Sequence, residues 1–192
     1  MTRLHVWMQA LVLASGVGAT ACGASKPMEA ELAYRVTCAS SACNNVTRSF
    51  LGEDGDEDTR VDCSLFALEA QGALVLDFQV QNDEYGVEVR DALWPLGSAV
   101  LSPGNTCSVT YTESSVNRFT GSCGSDALGP QQPCRMADLS ISDEPEGETV
   151  RGSLFCRNLP QESDATRTRD LSDPAAAEQA FSFRFLRCRR TE

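Results

Sequence analysis

The sequence predicts an all-β fold: an antiparallel sandwich or barrel stapled by disulfides, with at most one short helix. Three observations predict it. From about Leu32 onward hydrophobic residues recur mostly with a period of two, the mark of strands that bury one face. The alternating runs are short and broken by Gly, Pro, Asn and Asp, as in β-sandwiches and barrels. Eight of the nine cysteines, Cys38, Cys43, Cys63, Cys107, Cys123, Cys134, Cys156 and Cys188, fall in the same region. In an exported chain an even set of this kind reads as a disulfide framework.

The clearest strand runs from Ala73 to Gln81, with Leu74, Leu76, Phe78 and Val80 on one face and Asp77, Gln79 and Gln81 on the other. Gln71-Gly72 before it and Asn82-Asp83-Glu84 after it are turn material. They lead to strands over 60–69 and 85–90, the latter with Tyr85, Val87 and Val89 in phase. Further strands are expected over 32–38, 106–112, 118–123, 135–142, 148–157 and 181–188. Ser172-Asp173-Pro174-Ala175-Ala176-Ala177-Glu178 combines cap residues, an early Pro and alanines, the signature of a helix of two turns at most. If 112–117 connect a hairpin, Cys107 faces Cys123 across it. Cys156 and Cys188 are expected to close the last two strands in a similar way. The remaining connectivity stays open.

The amino terminus reads as an address. Met1-Thr2-Arg3-Leu4-His5 carries a positive charge, Val6 to Ala14 is apolar but for Gln9, and Ser15-Gly16-Val17-Gly18 is small. Those are the three parts of a secretory signal, assigned here to 1–21. Ala19-Thr20-Ala21-Cys22-Gly23 resembles the lipobox of bacterial lipoproteins, although Leu is usual where Ala19 stands. The resemblance implies cleavage after Ala21, a diacylglyceryl group on Cys22 and a fatty-acylated (palmitate-type) amino terminus. Several chains of this kind hold a protein stably on a membrane. Ala19-Thr20-Ala21 also reads as an ordinary signal-peptidase site, which cuts the same bond and leaves Cys22 a free thiol. Removing Cys22 into a thioether leaves the even set of eight. Gly23, in place of the Asp that retains such proteins at the inner membrane, points to the outer membrane. Residues 22–31 then form a polar tether, and 32–192 a single disulfide-rich β domain.

Charge and composition exclude more than they assign. A formal net charge of −11 argues against nucleic acid, whose binding needs a basic face. The only histidine, His5, lies in the signal, which leaves the domain without Ser-His-Asp, Cys-His or histidine-metal chemistry. The only lysine, Lys26, lies in the tether, and no phosphate-cradling loop or nucleophile elbow is present. No catalytic residue and no cofactor is assigned. Asp54, Asp56 and Asp58 alternate as calcium ligands do, but Thr59 and Leu65 stand where an EF-hand needs Gly and a bidentate acid. A solvated acidic tip is the expectation there. Arg184, Arg187, Arg189 and Arg190 crowd the carboxy terminus and are expected to pair with the chain's own acids, or else to meet an anionic headgroup or partner. Trp94 is expected to fill core rather than to stack a sugar. Asn45-Val46-Thr47 matches a glycosylation sequon that a bacterial lipoprotein leaves bare.

The resulting expectation is a lipid-anchored envelope protein acting as a binding or structural module for an envelope protein or glycan. The alternative is a carboxylate-dependent hydrolase of envelope glycans. It would show two facing acids in an apolar-floored cleft, one of them with a raised pKa.

Overall fold

The computed structural model describes residues 26–38, 44–95, 107–114, 116–124, 128–129 and 131–191. The export segment, Cys22 and Cys43 lie outside them. The described chain is mostly strand: β1 (Glu29–Cys38), β2 (Val46–Glu53), β3 (Arg60–Leu68), β4 (Ala73–Gln81), β5 (Tyr85–Pro95), β6 (Cys107–Glu113), β7 (Asn117–Gly124), β8 (Cys134–Glu144), β9 (Gly147–Gln161), β10 (Asp164–Ser172) and β11 (Phe181–Thr191). The all-β expectation holds. β4 has the bounds read from its alternation, and its Leu74, Leu76, Phe78 and Val80 are all buried.

The strands form one sheet that closes on itself. Hairpin pairings run from β3 through β4, β5 and β6 to β7, then β8 and β9 follow, and β11 joins β9 to β3. β1 pairs with β11 through its first half and with β10 through its second, and carries β2 along its length. Most pairings are antiparallel. The exceptions are two short parallel contacts, β11 with β3 and β7 with β8. Inside the ring, Phe78 of β4 meets Phe183 and Phe185 of β11 at 4.9 and 4.6 Å between ring centroids. Aromatic contact between strands that are not neighbours is what fills the interior.

Local breaks in the alternation are held by carboxylates. Opposite Asp77 the ladder shifts register, and Asp91 takes a left-handed φ of 57°. The Asp91 amide then donates to Asp77 Oδ1 at 2.7 Å. β9 and β10 repeat the device: Asn158, at φ 55°, donates its amide to Asp170 Oδ1 at 2.7 Å. In each case an acid accepts the N–H that a bulge removes from the ladder. At the β8–β9 turn Gly147 (φ 132°) lies so close to β11 that a Cβ there would stand 2.9 Å from the Arg187 Cα.

Three bridges are in place. Cys107 and Cys123 are directly opposed on β6 and β7, as expected. Cys134 joins Cys156, and Cys63 joins Cys188, so the expected Cys156–Cys188 bridge is corrected. The reason is the direction of β11. It runs antiparallel to β9, with Phe181 opposite Leu154 and Cys188 opposite Glu148. Cys156 lies eight residues further along β9, about 27 Å away, whereas bridged Cα atoms stay within about 7 Å. Cys156 instead faces Cys134, which is register partner to Cys123. Four cysteines thus form a row across β6, β7, β8 and β9. Cys38 is also disulfide-bonded.

Three other expectations change. The helix over 172–178 is a loop. Asp173 does cap, its Oδ1 accepting the Ala175 amide at 2.8 Å, but its own amide donates to the Gln179 carbonyl at 2.8 Å and closes a loop into β11. β1 begins inside the span expected as tether, with Glu29, Ala30 and Glu31 already paired with β2 and β11. Two strands, β2 and β10, lacked the expected pattern. β2 exposes Leu51 (77%), and β10 buries Arg169 (5%). In both, the residue that breaks the alternation sits on the unexpected face.

The Cys63–Cys188 bridge closes a sequence separation of 125, and Cys107–Cys123 one of 16. Replacing the first pair by alanines should therefore lower unfolding free energy by about 2 kcal/mol more than replacing the second, by the chain-entropy argument. Urea titration of the two double variants checks this. Equal losses would contradict it.

Candidate functional site

The acidic run is a structured turn. Asp54 Oδ1 accepts the Val61 amide at 2.8 Å, Asp56 Oδ2 accepts the Glu53 amide at 3.4 Å, and the Gly55 amide donates to the Thr59 carbonyl at 2.7 Å. Asp54, Asp56 and Asp58 are not brought together as a ligand set, and among the described residues no group of three His, Cys, Asp or Glu side chains could hold a metal ion. The three side chains are exposed, and two of these carboxylates serve the turn's backbone.

The carboxy-terminal arginines each pair with an acid of another strand. Arg184 binds both oxygens of Glu31 at 3.2 Å, and Arg187 reaches Glu29 at 3.1 Å and Glu53 at 3.2 Å. Arg187 also donates to the Pro27 carbonyl. Arg189 meets Asp62 at 2.6 Å, and Arg190 meets Glu148 at 2.9 Å. Each ties β11 to another strand. Trp94, in β5 opposite Leu74, is half-buried and packs against the core.

Acids face each other at two register positions: Glu29 and Glu53, which share Arg187, and Asp143 and Glu148. Asp143 and Glu148 are register partners beside the β8–β9 turn, and Arg190 spans them at 3.9 and 2.9 Å. Burial first, and the facing Asp143 second, hold the Glu148 carboxyl above the ordinary carboxylate range, against the pull of Arg190. This satisfies half of the hydrolase criterion. The pair is a clamped hairpin contact and lines neither the buried cluster nor the cleft described next.

A second polar cluster is buried where β1, β2, β6 and β10 approach. Tyr34 is fully buried, edge-on to Tyr111 at 6.1 Å and 5.3 Å from Phe181. Its hydroxyl has no hydrogen-bond partner. Arg169 crosses the Phe119 ring at 4.5 Å and bonds Glu113 at 2.8 Å with its side chain only 6% exposed. Arg48 lies over the Tyr85 ring at 4.4 Å, and the Tyr85 hydroxyl donates to the Ser49 carbonyl at 3.2 Å. That last contact covers part of the free edge of β2. Burial is the main reason that the Tyr34 phenol is raised well above its ordinary 10.0 and that Tyr111 is pushed up to about 12.

One of the open clefts among the described residues lies on the outer face of β9 and β11. With a volume of about 390 Å³, it is lined by Glu31, Asp138, Arg151, Ser153, Ser182 and Arg184, with backbone of Gly152 and Phe183. Register explains its composition. Arg151 stands directly opposite Arg184, and Ser153 opposite Ser182. Asp138 enters from a bulge in β8, where it adopts φ 54° and accepts the Ser153 hydroxyl at 3.0 Å. Of these residues the sequence marks only Arg184, as one of the crowded carboxy-terminal arginines. The others are ordinary strand positions until the pairing of β9 with β11 sets them side by side.

No family model, curated protein or solved structure matches the chain.

The tyrosines give a pH test. A phenol whose folded pKa is raised contributes stability fully present below its unfolded value and lost as pH rises towards the folded value. Unfolding free energy should therefore fall as pH rises from 10 towards 12, and Tyr34→Phe with Tyr111→Phe should flatten that fall. Denaturant titrations of both proteins on either side of pH 10 measure it. An identical alkaline slope would contradict the burial assigned to the two hydroxyls.

Proposed function

We infer that the chain is a lipid-anchored protein of the bacterial cell envelope, exported by 1–21, acylated at Cys22 and held at the outer membrane, and that its β domain is a binding or structural module. The observation that carries this reading is the disulfide-closed ring. Cys63, Cys107, Cys123, Cys134, Cys156 and Cys188 are all at most 6% exposed, and bridges of this kind persist in oxidising compartments. The export-type leader supports the same compartment. The distribution of charge supports binding over catalysis. The carboxy-terminal arginines are committed to strand-to-strand pairs, the facing acids Asp143 and Glu148 are clamped by Arg190 as Glu29 and Glu53 are by Arg187, and the side chains at the β9–β11 cleft are mostly charged or hydroxyl-bearing. The glycan-hydrolase reading has no comparable support.

Intact mass of protein extracted from membranes, alkylated without reduction, tests the anchor. The expected species begins at Cys22, carries acyl chains and has no alkylated thiol. An unlipidated species with one alkylated thiol would make this a soluble exported protein with Cys22 free.

A further inference from the structure

The cleft between β8, β9, β11 and β1 carries charge that the fold does not use. Facing residues on neighbouring strands have Cβ atoms about 4.5–5.5 Å apart, and like charges at that spacing are unfavourable. Arg151 and Arg184 hold such positions. Only one of them is answered: Arg184 binds Glu31, while Arg151, exposed, has no ion pair among the described residues. Both bonds of Arg184 to Glu31 run through its Nη1 alone. Two donor-rich side chains side by side, one of them short of a partner, suit a shared oxyanion.

The other lining groups narrow the ligand. Ser153 and Ser182 stand next along the same two strands, and Ser153 is held by the Asp138 carboxylate at 3.0 Å. Asp138 and Glu31 would repel a bare anion, but each can still accept from hydroxyl groups beside one. A volume of about 390 Å³ is within the range of small-molecule sites.

We propose that this cleft binds an acidic sugar: its carboxylate or phosphate bridges Arg151 and Arg184, and its ring hydroxyls meet Ser153, Ser182, Asp138 and Glu31. The site deepens the binding-module reading and rests on it, naming the ligand class as an acidic glycan unit.

The test is a titration of the purified full-length protein, followed by amide and arginine Nε–H NMR signals. The probes are glucuronate, glucose 6-phosphate, glucose, inorganic phosphate and alanine. Saturable shifts at Arg151, Ser153, Ser182 and Arg184 with glucuronate or glucose 6-phosphate, at millimolar concentration and absent with glucose, are the expected result. Which of the two binds tighter tells carboxylate from phosphate. Arg151→Gln should weaken binding by about tenfold or more, the loss of one charge-assisted hydrogen bond. Arg157→Gln, an exposed arginine paired with Glu178, should leave it unchanged, and the amide spectra report that both variants fold. No saturable shift with either acidic sugar, or equal affinity in Arg151→Gln, overturns the proposal. So does inorganic phosphate or alanine binding more tightly than both sugars. The lipid mass reads independently: a titration that fails on a lipidated protein removes the site alone, and one that succeeds on an unlipidated protein removes the anchor alone.

Discussion

β11 pairs with β9 on one edge and with β1 on the other, both through Phe183 to Phe185, and with β3 at its end, and the ring of strands closes only through it. Its two faces divide the work. Phe181, Phe183 and Phe185 point inward and are buried, with Phe183 and Phe185 against Phe78 of β4. The charged positions reach sideways, Arg184 and Arg187 to β1 and β2, Arg189 to β3, and Arg190 to β8 and β9. Cys188 then fixes the strand covalently to Cys63. The closing contact is parallel and only three residue pairs long, so hydrogen bonding alone gives it little. The bridge, the ion pairs and the aromatic packing hold the last strand of the chain against one of the first.

That arrangement also explains the charge balance. The acids outnumber the bases, and many of the acids have structural partners. Glu29, Glu31, Glu53, Asp62 and Glu148 receive the arginines of β11. Asp77 and Asp170 accept amides released at bulges, and Asp54 accepts one where β3 begins. Exposed ion pairs contribute little singly. Their effect here is positional, since they select one register for each strand that β11 touches. Arg151 is outside this scheme, and its facing partner Arg184 is only partly inside it.

Legibility followed the hydrophobic alternation. β3, β4, β6 and β7 could be read nearly to the residue, and so could the Cys107–Cys123 bridge, because a hairpin's register follows from its turn. β2 and β10 could not, because Leu51 points out and Arg169 points in, and period-two reading assumes the opposite. The Cys63–Cys188 bridge joins strands far apart in sequence, and no local pattern announces a parallel closure. The loop after Ser172 kept the helix's cap and lost the helix to the return into Phe181. The cleft was invisible for the same reason as the bridge. Arg151 and Arg184 become neighbours only when β9 and β11 pair.

The measurement that bears most directly on this account is the disulfide map, obtained by proteolysis and mass spectrometry of the unreduced protein. Closure through β11 predicts a linked peptide joining Cys63 to Cys188, together with Cys107 to Cys123 and Cys134 to Cys156. A peptide joining Cys156 to Cys188 would contradict it. The two positions lie at different ends of the β9–β11 ladder, and such a bond would require β11 to pair in another register and the ring to close in another way.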